Sequence, residues 1–151
     1  MAGFALDGFL PYQLAVVARR VSQEYAARYQ EKFGISIPEW RVVAHLSQEG
    51  AVSVREIHRR VDMDKSKVSR AAARLEERGF IAKRAHPSDK RLVELTLTDR
   101  GQAMIDELTP IAKAYEAEVM RLLGPQGPAF RAALDTLMTQ DQLEKTKEPA
   151  P

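Results

Sequence analysis

The sequence predicts a mainly α-helical chain with one small β-hairpin, and three observations carry that reading. Apolar residues recur every three or four positions along most of the chain, as on one face of a helix. Ser-x-x-Glu boxes and glycines stand where such helices would begin and end. Only "FIAKRA" and "RLVELTL", either side of the turn-rich "HPSDK", have the look of strands.

Taken in order, Leu10, Leu14, Val17, Val21 and Tyr25 predict a helix from Leu10 to Phe33, ended by Gly34. In "SIPEWRVVAHL", Ser36 caps the second helix, Pro38 is tolerated in its first turn, and Glu39 completes a capping box. Its inward stripe is Trp40, Val43 and Leu46 or Ala44. Ser53 and Glu56 form another box, opening a short helix with Val54, Ile57 and Val61 inward. Asp64 caps the next, where Val68, Ala71, Ala72 and Leu75 make a narrow apolar face and Gly79 is the stop. In the second strand Val93, Leu95 and Leu97 share one face. Thr98 then caps a long helix striped by Met104, Leu108, Ile111, Tyr115, Val119 and Leu122, with a kink expected at Pro110. "GPQGP" breaks the chain before a last helix with Phe130, Leu134, Leu137 and Met138, and the tail "EKTKEPAP" is expected to fray.

At 151 residues, 44% apolar and 29% charged, the chain suits one globular domain. Without cysteine it has no disulfide or thiolate chemistry. No apolar run could span a bilayer, and "MAGFALDGFL" lacks a basic leader and carries Asp7, so a cytoplasmic protein without membrane contact is expected. Enzyme signatures are missing: there is no Gly-rich phosphate loop, Gly-x-Ser-x-Gly or His-Glu-x-x-His. The pairs His58–Asp62 and His45–Glu49 offer two metal ligands each, which is too few, so neither metal nor cofactor is expected.

Charge is unevenly spread. Ser53 to Arg100 holds thirteen Lys/Arg and eight Asp/Glu, a balance of +5, which leaves −3 for the remainder of a chain of net +2. A basic centre between more acidic ends suits contact with a polyanion.

Two short helices joined by a tight turn and followed by a hairpin are the order of a winged helix-turn-helix. In that arrangement the second helix enters the DNA major groove and the hairpin tip reaches phosphates or the minor groove. Opposite Val68, Ala72 and Leu75 the helix carries Lys65, Ser66, Lys67, Ser69, Arg70 and Arg74, long donors and hydroxyls suited to base edges and phosphate. Ser53 is a further candidate contact. At the wing tip Arg91 is placed for the minor groove, and Asp89 either to hold it or to close the turn. Lys83, Arg84 and Lys90 read as phosphate contacts, or as charges that keep an edge strand from aggregating.

The stretch "IHRRVDMDKSKVSRAAARLEERGFIAKRAHPSDKRLVELTLTDRG" resembles the MarR family of transcription regulators, through Leu75, Glu76, Gly79, Asp89, Arg91, Leu97 and Thr98. His86 departs from the Asp that many relatives carry at the head of the wing loop. The resemblance implies a homodimer whose first and last helices interdigitate, below winged domains that read a pseudo-palindrome in double-stranded DNA. It divides the chain into an N-terminal dimerisation helix (1–35), a winged helix-turn-helix domain (36–98), C-terminal dimerisation helices (99–145) and a disordered tail (146–151). Phe4, Leu6, Phe9, Leu10, Tyr12, Phe130, Leu134, Leu137, Met138 and Leu143 exceed what a lone winged domain needs to cover; they are buried between chains or fold back on their own core. The family also implies a small aromatic or phenolic effector, for which Tyr12, Tyr25, Trp40, Arg41 and His45 are the residues to watch. The expected function is thus a dimeric, sequence-specific repressor released by a small molecule. The alternative is a winged-helix protein-interaction module with weak, non-specific DNA binding.

Overall fold

A computed structural model describes residues 3–61 and 63–140. Asp62 and residues 141–151, which include Leu143, the tail from Glu144 on and the end of the 99–145 segment, lie outside them. The chain divides after Ala112 into two compact units.

In the first unit a 3₁₀ turn (Leu6–Gly8) precedes helix α1 (Leu10–Phe33), which Gly34 ends in the left-handed conformation at φ 66°. Helix α2 (Ile37–Glu49) starts at the Ser36 cap, whose hydroxyl accepts the Glu39 N–H. Strand β1 (Val52–Ser53) leads into helix α3 (Val54–Arg60), with Ser53 capping by accepting from the Glu56 N–H. Helix α4 (Lys65–Glu77) is capped by Asp64, and Gly79 at φ 81° lets the chain turn out of it. Strands β2 (Ile81–Ala85) and β3 (Val93–Leu97) pair antiparallel, with Arg84 opposite Glu94. The expected hairpin is one part of a three-stranded sheet ordered β1-β3-β2, because Val52 and Ser53 pair with Leu95 and Glu94.

Helix α5 (Asp99–Leu123) follows Thr98, whose hydroxyl accepts from the Gly101 N–H and donates to the Gly79 carbonyl. It continues as helix through Pro110. Gly101 lets the helix start against the backbone just before β2: a Cβ there would lie 2.1 Å from the Phe80 carbonyl oxygen.

The core of this unit joins Ala26 and Tyr29 of α1, Val42, Val43 and Leu46 of α2, Ile57 of α3, the inner face of α4, Leu95 of β3 and Met104 and Leu108 of α5. Several expectations shift. On α2 Val42 is buried and Trp40 only partly so. On β3 only Leu95 is buried, while Val93 is 42% exposed. The stripe of α1 has helical spacing, yet Leu10 and Val17 are 58% and 48% exposed in the single chain. Spacing assigns residues to a face; it does not say whether one chain covers that face.

The second unit holds the end of α5, a 3₁₀ turn (Gly124–Gln126) and helix α6 (Gly127–Thr139). Gly127 is buried beside Met120, and Arg131 pairs with Glu116 at 3.2 Å. Leu134 is partly covered, whereas Leu122 and Met138 are 88% and 85% exposed.

Candidate nucleic-acid interface

Helix α4 is sharply two-sided. Val68, Ala71, Ala72 and Leu75 are buried against α2 and α3, and Lys65, Ser66, Lys67, Ser69, Arg70, Ala73 and Arg74 are exposed. Two of the three consecutive alanines therefore serve close packing, and only Ala73 faces outward. At the helix start Asp64 accepts from the Lys67 N–H at 2.9 Å and from the Ser66 hydroxyl at 2.7 Å. Those bonds to the carboxylate, the backbone one foremost, hold its pKa below the usual range. Glu76 and Glu77 lie in the last turn of α4, at the far end from Lys65.

The basic side chains of α4 do not all have the same surroundings. Lys65, Lys67 and Arg70 stand exposed on its first two turns. Arg74 instead donates from Nε to the Glu39 carboxylate of α2 at 3.1 Å. One turn on, Arg78 donates to the carbonyls of Gly34 and Phe33 at the end of α1.

The wing is ordered by Asp89. Its carboxylate accepts the Arg91 N–H at 3.0 Å and the Arg91 guanidinium at 3.1 and 3.4 Å. Asp89 thus both closes the turn and holds the arginine, and the Arg91 guanidinium and amide keep its pKa below the ordinary carboxylate range. The Arg91 side chain remains 90% exposed. Glu94, largely covered, binds the Arg84 Nε at 2.9 Å and lies 3.5 Å from His86 Nε2, so Arg84 is braced along the wing; Lys83 and Lys90 are exposed.

Ser53 is 9% exposed and its hydroxyl is engaged in the α3 cap. It lines an open cleft between the helices and the wing base, together with Arg55, Lys65, Arg91, Leu92 and Val93. Arg55 was not anticipated, since nothing local links it to a wing residue 36 positions later.

Of the effector candidates, Tyr25 and Trp40 come together. Their rings meet edge-on at 5.2 Å, and Tyr29 joins them, edge-on to Tyr25 at 5.0 Å and stacked on Trp40 at 5.6 Å. Tyr29 is not among the residues expected from sequence, although its place one helical turn after Tyr25 is the signal that points to it. Burial pushes the Tyr25 phenol up to about 12 and that of Tyr29 further in the same direction. Arg41 and His45, one turn apart on α2, are partly buried, and His45 Nε2 is enclosed without a hydrogen bond among the described residues. Tyr12 is separate: thirteen residues before Tyr25 on the same helix, it lies about 20 Å away along the axis. The residues expected at a dimer interface are mostly bare in the single chain, Phe4 at 75%, Leu6 at 49%, Phe9 at 45%, Phe130 at 38% and Leu137 at 42% exposed.

A helix pair with an outward basic face, backed by a three-stranded antiparallel sheet whose loop presents an arginine, defines a winged helix-turn-helix protein. The chain belongs to the MarR family, whose profile matches residues 35–93. It is 30% identical over 136 residues to the HTH-type transcriptional repressor Rv2887 of Mycobacterium tuberculosis, covering 89% of this chain and 97% of that one. MdtR of Bacillus subtilis, likewise an HTH-type transcriptional repressor, is 33% identical over 93 residues, which span 62% of this chain and 60% of MdtR. In three dimensions the fold matches Bordetella bronchiseptica BpsR at a TM-score of 0.76 and 24% identity, covering 93% and 100% of the two chains; 6-hydroxynicotinic acid regulates DNA binding by BpsR. The family, like Rv2887 and MdtR, consists of transcriptional regulators rather than enzymes. Among the described residues no helix is long and apolar enough to cross a membrane.

Proposed function

We propose that the protein is a homodimeric repressor that binds a pseudo-palindromic operator and is released by a small aromatic or phenolic molecule. The observation that carries the DNA-binding part is α4, with its packed apolar face and its outward row of Lys65, Ser66, Lys67, Ser69 and Arg70. This row lies in the major groove, while Arg91, presented by Asp89, enters the minor groove and Lys83, Arg84 and Lys90 meet phosphates. Residues 36–98 thus form the reading head. The segments 1–35 and 99–145 supply the dimer contacts, supported by the exposed apolar side chains at both ends of the chain. Repression is supported by the two repressors named above. Effector release rests on the Tyr25–Tyr29–Trp40 cluster beside Arg41 and on the precedent of BpsR. An effector that prefers a dimer shape mismatched to the half-sites lowers operator affinity by its differential binding energy.

The test is selection from random duplex DNA at near-physiological salt, followed by titration of the enriched sequence. A two-fold symmetric site bound about 10³-fold or more over scrambled DNA is the expected result. Weak, salt-sensitive binding to every sequence would instead favour the protein-interaction module.

A further inference from the structure

We propose that Glu39 and Arg74 are a positioning pair that sets the recognition helix for base reading, and that Arg74 is not itself a DNA contact. The inference rests on the DNA-binding reading above. Glu39 is only 5% exposed, in the first turn of α2. Its carboxylate accepts from the Ser36 hydroxyl at 2.9 Å and from Arg74 Nε at 3.1 Å. A covered carboxylate strongly needs a cationic partner, so removing Arg74 would leave it exposed to the full cost of desolvation. Arg74 is thereby committed to α2, although its side chain is 52% exposed.

Arg78 repeats the pattern one turn later, where its guanidinium closes the carbonyls of Phe33 and Gly34 at 2.6 and 3.1 Å. Both ties act on the last turns of α4, and the residues proposed to read DNA occupy the first turns. A helix of this length is about 20 Å long, so tilting it by about 10° at the tied end moves the other end by roughly 3 Å. That exceeds the few tenths of an ångström over which a hydrogen bond to a base keeps its geometry. The ties thus govern sequence preference more than they govern general attraction to DNA.

A double-mutant cycle on the full chain tests this, with Arg74→Met, Glu39→Gln and the double variant titrated against the selected duplex and a scrambled one over a range of salt. Each single variant is expected to lower the ratio of specific to non-specific affinity, on the order of ten-fold, and the double variant no further than either. The dependence of affinity on salt should stay that of the wild type in all three. A fall in affinity for both duplexes alike, with the salt slope of Arg74→Met reduced by about one, would make Arg74 a phosphate contact and overturn the proposal. Full additivity of the two losses would overturn it as well. Thermal melts accompany each titration. Should a single variant fail to fold, the double variant, which leaves neither charge orphaned, decides alone: an unchanged slope with a lower ratio supports the pair, and a slope lower by one refutes it. If the wild type selects no site, the DNA-binding reading itself fails, a result distinct from all of these.

Discussion

The winged core and the ends of the chain use similar apolar periodicity with opposite outcomes. In the core, Val42, Ile57, Val68, Leu75 and Leu95 are each 0% exposed within a single chain. Along the start of α1 and on α6 the same side-chain types stay open, Leu10 at 58% and Met138 at 85%. The core closes because elements from α1 to α5 bring complementary faces together around it. The start of α1 and helix α6 each carry apolar side chains that stay open among the described residues, and in the dimer proposed here a second copy covers them.

The contrast can be broken most sharply in the core. Leu75→Ala removes a fully enclosed side chain and should lower unfolding free energy by about 2–5 kcal/mol, read by urea denaturation. A loss below about 1 kcal/mol would mean that this core is not closed as described.

At the open end, Leu14→Asp combined with Val17→Asp places charge on side chains that are 37% and 48% exposed in one chain. Sedimentation velocity should then show a monomer with its helical circular dichroism retained. Operator affinity should fall about 10²-fold or more as the linked second half-site is lost. A dimer that persists would move the interface away from this part of α1.

Arg70→Ala probes the outward face of the closed region. It should cost about 1–3 kcal/mol on the selected site and relax preference at one base position. Stability should change by no more than about 0.5 kcal/mol. An equal loss on every sequence would reassign Arg70 to a phosphate.

The smallest effect concerns pH. Asp64 and Asp89 both have lowered pKa values in the folded protein, so their contribution is complete above the ordinary carboxylate pKa of about 3.9 and fades as pH falls through the lowered values. The Arg91 amide resonance, reporting its bond to Asp89, should therefore titrate with a midpoint below that value. A midpoint at the ordinary value, as a free carboxylate would give, would show that the wing clasp is not formed in solution.

Much of the winged region was legible because its signals are local. Ser36, Ser53, Asp64 and Thr98 each cap a helix through a backbone N–H a few residues away, and Gly34 and Gly79 occupy positive φ at the ends of α1 and α4. The outward row of α4 follows from its buried face by helical geometry alone. What escaped notice is long-range. Strand β1 is two residues long and exists through pairing with Leu95 and Glu94 on β3. The Glu39–Arg74 pair spans 35 positions, so Arg74 read from its own helix was one more outward cation. The excess of apolar residues at the ends was legible, but whether their own chain or a second one covers them stayed open, because periodicity is the same in either case.

The most direct test of a dimer reading two half-sites is to titrate the selected duplex against one with about five base pairs inserted at its centre, roughly half a turn of DNA. The insertion rotates one half-site to the far side of the duplex, and affinity should drop close to the level of scrambled DNA. Undiminished binding to the lengthened site would contradict the account, since each winged domain would then be reading its half-site independently.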